Sequence, residues 1–451
     1  MFYYNGKEIK RVGFLGLGKS NLGILSYLSL HYDFEATVRS SLNVDVSSMS
    51  PKYCYFGKDA LSNIDEDILF LSPSARRDAF EIENAKARGV ILSSDAEFFF
   101  ENSSADIYAV TGSDGKSTTA YLTSCLLKSH YINSVCCGNI GESMTPHLDD
   151  PKNTAYTAEL SSFQLMYQKP KSQRCVITNI TPNHLNWHKS FEEYIDAKSH
   201  ILENSRERII NFDCEISRNL AKDYNLFGVF SKNYTEEHLR KHIKADLYIT
   251  LNDSRITVSG EEFLKTDRIR VIGEHNLLNF MAAIAMTYGK SDKREIASLA
   301  ENFGGLPHRC ELIGDYDGVK YYDSSIDSSP KRCAATLKSM PNNVIIILGG
   351  RSKGLDLKEL LPILEKKTKL AVLTGEVGAE LKELLSSKSR FNIKFEYING
   401  FYEAVEYAVS QAQSGDVILL SPAATSFDRF ANFEERGNAF KEHIRHLKSK
   451  G

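Results

Sequence analysis

The chain has 451 residues, too many for one hydrophobic core, so its length argues for about two to four domains. Hydrophobic residues make up 42% and charged residues 25%, which excludes a disordered chain, a collagen-like chain and a coiled coil. Lys+Arg of 55 against Asp+Glu of 58 gives a formal charge of -3, so composition does not indicate an electrostatic binder of nucleic acid or membrane.

The opening RVGFLGL (11–17) reads as a strand, GKSN as a tight glycine turn, and NLGILSYLSL as a helix. EATV (35–38) and DILFLS (67–72) are further strand candidates, followed by helix-like DAFEIENAKARG (78–89) and VILSS (90–94). Polar ENSSAD (101–106) marks a first boundary. A second unit opens with IYAV (107–110), a glycine loop, and a helix from Ser117 to about Lys128. AYTAEL (155–160) and RCVITNI (174–180) read as strands, and FEEYIDAKSHILEN (191–204) has helical periodicity. DLYITLNDSRITVSG (246–260) alternates around NDSR as a β-hairpin does, and HNLLNFMAAIAMTYG (275–289) is an apolar helix. Gly-Pro punctuation in GGLPHRCE (304–311) marks a second boundary; VIIILGG, LAVLTG and DVILLSP then form a third set of apolar strands. Strands alternating with helices imply parallel sheets covered on both faces.

No apolar run reaches the ~18 residues of a spanning helix. The N-terminus shows no signal-peptide cleavage pattern, and the eight cysteines are scattered without a CxxC. Both fit a cytoplasmic protein that does not insert into membranes.

VTGSDGKSTT (110–119) lies between a strand and a helix. Backbone N–H groups from Gly112 to Lys116 can curl around phosphate oxygens at the positive end of that helix. Lys116 can bridge the β- and γ-phosphates, and the Ser117 hydroxyl can ligate Mg²⁺. Val110 stands where a full-length phosphate loop has its first glycine, so this loop is a shortened variant. Glu159 and His184 fall at strand ends, where open α/β sheets bind ligands, with His188 close by as a rival. Lys198 interrupts an apolar stripe of Phe191, Tyr194, Ile195, Ile201 and Leu202; on the residues alone its expected behaviour is snorkelling. The N-terminal turn reads GxGxxN (Gly16, Gly18, Asn21), and its second strand ends in Arg39 rather than an acid. Both argue against NAD.

Together TGSDGKST, AELSSFQL, TNITPNHLNWH, EHNLLNFMAAIA, LPHRCE, ILGGRSKGLD and LLSPAATSFDRFANFEERGNAF resemble, in order, the motifs of the Mur ligase family of ATP-dependent peptidoglycan amide ligases. The last run most resembles that of the D-glutamate-adding branch. The resemblance implies an α/β fold in three domains. These are a Rossmann-like UDP-sugar-binding domain (1–104), a P-loop ATPase-like central domain (105–306) and a Rossmann-like amino-acid-binding domain (307–451). It implies that D-glutamate is added to UDP-N-acetylmuramoyl-L-alanine through an acyl phosphate, in cytoplasmic precursor synthesis that serves cell wall biogenesis, cell shape and division.

By the same resemblance, Gly112, Ser113, Asp114, Gly115, Lys116, Ser117 and Thr118 hold the ATP phosphates. Asn276 and Asn279 contact adenine, and Arg309 and Asp323 reach the nucleotide from the third domain. Ser117 and Glu159 would hold one Mg²⁺; His184 and Lys198, the latter carbamylated, would hold a second. Gly18, Lys19, Ser20, Ser72 and Asn139 serve the UDP-substrate. Asp327, Lys353, Ser426, Phe427 and Phe433 form the D-glutamate pocket. A monomer is expected.

Four places depart from the family pattern: Asp114 for Asn, Asn183 and Asn186 for two aspartates, Arg39 for an acid, and Ser325 and Asp327 for Lys and Thr. Arg351 is expected to compensate, either by pairing with Asp327 or by reaching the glutamate. The alternatives are a related ligase with another amino-acid acceptor, or a P-loop nucleotide-dependent binding module.

Overall fold

The computed structural model describes residues 1–42, 46, 51–271, 273–387 and 391–449. The chain forms two compact units, Met1–Asn302 and Phe303–Gly451. Among the described residues the first unit holds two parallel-rich sheets. The smaller is wholly parallel, ordered Tyr53–Phe56, Glu35–Ser40, Arg11–Leu15, Ile68–Leu71, Ile91–Ser93. The larger runs Glu261–Lys265, Arg255–Val258, Ala245–Asn252, Leu226–Ser231, Ser205–Asn211, Ser172–Ile177, Asp106–Thr111, Thr154–Glu159, Asn133–Gly138. The expected antiparallel hairpin forms between Ala245–Asn252 and Arg255–Val258, Glu261–Lys265 adds a further antiparallel strand at that edge, and the other pairings are parallel.

Among its described residues the second unit has one sheet, ordered Glu311–Tyr316, Val319–Asp323, Val417–Leu420, Val344–Gly349, Thr368–Thr374, Phe395–Tyr397. Val344–Gly349 is buried at every position because helices cover both faces of a parallel sheet, which is why its sequence is an unbroken apolar run. The expected strands and helices form within a few residues of their expected ends. Phe2–Tyr4, Lys7–Ile9, Tyr53–Phe56, Asn133–Gly138, Ser205–Asn211, Leu226–Ser231, Glu261–Lys265, Glu311–Tyr316, Val319–Asp323 and Phe395–Tyr397 were not anticipated.

The N-terminal glycine turn enters the helix Lys19–His31. The Asn21 amide donates to Leu15 O (3.1 Å), Gly16 O (2.7 Å) and Phe70 O (3.2 Å), so it ties together the carboxyl ends of two neighbouring strands. A glycine at this position could not do so.

Arg39 is fully buried. Its Nε donates to Glu66 Oε1 at 2.7 Å, its remaining nitrogens donate to the carbonyls of Ala60, Ser62 and Asn63, and the guanidinium lies 4.4 Å over the Tyr55 ring. The departure at Arg39 therefore serves the fold of this sheet, where it holds the Ala60–Asn63 turn. Removing one partner of a buried pair strands the other. Glu66→Gln should cost about 3–5 kcal/mol in urea denaturation, and an apolar double replacement of Arg39 and Glu66 should recover most of the loss.

Candidate active site

The strand Asp106–Thr111 delivers the chain into the loop that opens the helix Lys116–Leu127. Gly112 (φ 151°) and Gly115 (φ 78°) hold backbone angles that side chains disfavour. A Cβ on Gly112 would collide with Thr178 Oγ1, and one on Gly115 with Asn279 Oδ1. The loop is clamped from the neighbouring strand end. Ser113 N donates to Asn179 O (2.8 Å), Asp114 N to Asn179 Oδ1 (2.9 Å), and Thr178 Oγ1 to Asp114 O (2.6 Å). The Asp114 side chain is exposed, so water solvates the carboxylate that replaces asparagine.

Glu159 ends its strand in register with Val110 on one side and Gly138 on the other. It is 1% exposed, with Oε2 accepting from Ser117 Oγ and Oε1 from Asn139 Nδ2, both at 2.7 Å. A carboxylate beside a hydroxyl offers the hard oxygen donors that Mg²⁺ takes.

Lys198 lies on the helix Phe191–Glu203, which is capped by Ser190 and carries Glu192 and Glu193 in its first turn. It does not snorkel. At 1% exposed, its Nζ donates to Gly112 O (2.7 Å) and Thr111 Oγ1 (3.3 Å) and sits 4.8 Å from the Tyr194 ring centroid. Burial, and then the Lys116 charge, hold its amine well below the ordinary lysine range, while Glu159 and Asp114 oppose that shift. The Tyr194 hydroxyl meets Ser113 Oγ at 2.8 Å, so this helix and the glycine loop lock together. The Lys116 ammonium donates to Ser113 O at 2.8 Å.

The two histidines separate cleanly. His184 is exposed, at φ 55°, with its ring 5.0 Å from that of Phe163. Partial desolvation of the ring, then Lys116 and Lys198, push its pKa below the ordinary imidazole value, leaving a neutral imidazole lone pair for a cation at neutral pH. His188 is buried, with Nε2 at 2.9 Å from Ser162 Oγ and Nδ1 at 3.4 Å from Glu193, so its ring is engaged within the fold. Trp187 donates its indole N–H to Ser74 O (2.9 Å), lies under Arg76 at 4.7 Å, and stands 4.5 Å from the Phe163 ring.

Asn279 is buried behind the loop. Its Oδ1 accepts from Thr119 (3.4 Å) and its amide donates to Asn276 Oδ1 (3.3 Å). At the other sheet of this unit, Gly18 precedes the helix Lys19–His31, Ser72 N donates to Leu15 O at 3.0 Å, and Lys19 Nζ donates to Gly141 O.

In the second unit, Asp323 ends one strand, Lys353 follows another, and Ser426 and Phe427 follow a third. Asp323 is fully buried, accepting Ser325 N (2.8 Å) and meeting His308 Nδ1 (2.7 Å); Phe433 packs edge-on against that imidazole. Arg309, Lys353 and Phe427 are exposed, while Ser426 is buried.

The expected Arg351–Asp327 pair is absent. Asp327 is buried and accepts from Ser421 Oγ at 2.8 Å, whereas Arg351 is exposed and makes no ion pair among the described residues. The Arg351 backbone pairs with that of Thr425. The cation at this place is Arg436, which sequence reading missed. Its Nε donates to Ser325 Oγ (3.0 Å), and its other nitrogens to the carbonyls of Ser325, Ala424 and Thr425. Burial lowers its pKa to about 10, still cationic at neutral pH. Asn179 was also missed, although it lies inside the TNITPN run that supplied His184.

A family model described as Mur ligase middle domain matches residues 110–287, and one described as Mur ligase, glutamate ligase domain matches 308–424. The chain is 37% identical to UDP-N-acetylmuramoylalanine--D-glutamate ligase of Ruminiclostridium cellulolyticum, over 97% of each protein. It is 35% identical to the Clostridium perfringens protein of the same name, again over 97% of each. Among solved structures, UDP-N-acetylmuramate-alanine ligase of Thermotoga maritima shares the fold at TM-score 0.55 and 18% identity, covering 98% of this chain and 100% of that one.

Gly115→Ala should abolish Mg²⁺–ADP binding in isothermal titration calorimetry while leaving the far-UV circular dichroism unchanged. The added methyl must displace Asn279 Oδ1 at a positive φ.

Proposed function

The chain belongs to the Mur ligase family, and we propose that its reaction joins D-glutamate to UDP-N-acetylmuramoyl-L-alanine in peptidoglycan precursor synthesis. The enzyme is an ATP-dependent ligase. The observation that carries the reading is Glu159, pinned between Ser117 and Asn139 beside a glycine loop backed by a buried amine.

The substrate carboxylate oxygen attacks the γ-phosphorus of ATP, the bond to the β-phosphate oxygen breaks, and ADP leaves. The amine of D-glutamate then attacks the acyl carbon, phosphate departs from the tetrahedral intermediate, and the nitrogen loses its proton to give the amide. Phosphoryl transfer of this kind depends on positioning and charge neutralisation. The loop amides and Lys116 would orient the triphosphate, with Asn276, Asn279, Arg309 and Asp323 serving the rest of the nucleotide. Ser117 and Glu159 would hold one Mg²⁺, and His184 with a modified Lys198 a second. Such ions neutralise phosphate charge when bound.

A low-pKa buried amine is suited to the modification. The Lys198 nitrogen lone pair attacks CO₂, an N–C bond forms as one C–O π bond opens, and a proton is released. The ammonium that would repel a cation thereby becomes an anionic oxygen donor.

Gly18, Lys19, Ser20, Ser72 and Asn139 would serve the UDP-substrate. Lys353, Ser426, Phe427, Phe433 and Asp327 would serve D-glutamate, with Arg436 supplying the charge that Ser325 does not. In this reading residues 1–104, 105–306 and 307–451 are the UDP-sugar, ATP and amino-acid domains, and the enzyme works as a cytoplasmic monomer. No helix among the described residues is long and apolar enough to cross a membrane.

Phosphate release measured with D-glutamate, L-lysine, meso-diaminopimelate and D-alanyl-D-alanine should require D-glutamate. Turnover with another acceptor would reassign the specificity, and release with none would leave a nucleotide-binding module. In ¹³C-bicarbonate, NMR should show a carbamate carbon that Lys198→Ala removes. Only the neutral amine reacts, and the folded pKa is lowered. The signal should therefore persist below the pH at which an ordinary lysine is protonated, and be lost as pH falls through the lowered value.

A further inference from the structure

Asp95 opens the helix Asp95–Asn102 and is 2% exposed. Its carboxylate is filled by three consecutive residues of one loop. Oδ1 accepts from Ser143 Oγ (2.9 Å), Thr145 N (2.9 Å) and Thr145 Oγ1 (2.7 Å), and Oδ2 accepts from Met144 N (2.9 Å). Two of these donors are backbone amides in an irregular segment with no ladder to satisfy them, so an acceptor-only side chain is required there. Met144 itself is buried against Ala96, Phe99 and Tyr156.

The loop so held leaves the strand Asn133–Gly138 and passes three groups of the site. At its start, Asn139 donates its amide to Glu159 Oε1 and its backbone N–H to Glu159 O (2.9 Å). In its middle, Gly141 O accepts from Lys19 Nζ. At its end, Ser143 Oγ also lies 3.3 Å from Ser20 O. One buried anion thus fixes the far end of a segment whose near end orients the carboxylate beside Ser117, and whose middle engages the N-terminal glycine turn.

We propose that Asp95 is a positioning residue that clamps the loop 139–145, so that Asn139 orients Glu159 while Gly141 and Ser143 register the turn bearing Lys19 and Ser20. The groups it commands lie on the UDP-substrate and Mg²⁺ sides of the reaction proposed above, on which the kinetic readout rests. None lies on the D-glutamate side.

Asp95→Asn places an amide N–H against these donors. It should raise both KM for UDP-N-acetylmuramoyl-L-alanine and the half-saturating Mg²⁺ concentration by about tenfold, the effect of losing roughly one charge-assisted hydrogen bond, with KM for D-glutamate unchanged. Tyr4→Phe serves as the stability control. It removes hydrogen bonds to Ser93 and Glu101 near the same helix without touching the loop, and should lower the melting temperature with kinetic constants unaltered. Equal KM values in Asp95→Asn and wild type would overturn the clamp, as would a matching rise for D-glutamate.

If Asp95→Asn does not fold, Ser143→Ala and Thr145→Val each remove one donor and leave the carboxylate. The same split at about two- to fivefold supports the clamp, and unchanged constants overturn it. If the wild type releases no phosphate with D-glutamate, the functional reading fails separately. Calorimetric Mg²⁺–ADP affinity then decides the clamp, which expects weaker binding in Asp95→Asn and is overturned by equal binding.

Discussion

A buried carboxylate and a buried amine, one bonded to the helix that the glycine loop opens and the other to the loop itself, are the constraint around which the first unit is built. Neither charge could leave water without compensation. Glu159 is compensated by two neutral donors aimed one at each oxygen, and Lys198 by the carbonyl of Gly112 and by a pKa that favours the uncharged form. Each contact needs a strand to end at the right level, so the parallel register of Asp106–Thr111, Thr154–Glu159 and Asn133–Gly138 is as much a part of the site as the side chains. The loop glycines let Thr178 and Asn279 pack directly on the backbone, where a Cβ would collide with them.

What could be read from the sequence was what is local. The glycine loop, the strand-end Glu159, and the lysine lodged in an apolar stripe are each visible within a dozen residues, and the structure gathers them at the carboxyl ends of two neighbouring strands. The contacts that orient them were hidden because they join distant positions. Asn139 to Glu159, Asn179 to Asp114, and Asp95 to Thr145 each depend on which strands become neighbours, and no periodicity carries that. Strands such as Ser205–Asn211 escaped notice because their first half, SRER, is polar, and Phe395–Tyr397 because it has only three residues.

The charge substitutions show the same limit. Arg39 counted against NAD and as a departure from the family pattern, and in the structure it is absorbed by Glu66 and three carbonyls beside the N-terminal sheet. At Ser325 the missing cation was sought in the nearby Arg351. The cationic side chain that reaches Ser325 is instead Arg436, which lies on a helix 111 positions away in the chain but within hydrogen-bond reach in space. A departure from a family pattern is thus a statement about a volume, and its compensation must be sought in three dimensions.

The single tryptophan of the chain gives this arrangement an optical handle. Trp187 is wedged between Arg76 and Phe163, and Phe163 also touches the exposed His184. Its emission therefore originates from one place, within van der Waals relay of that imidazole. A change at His184 can be followed without dyes or labels, because no second indole dilutes the signal.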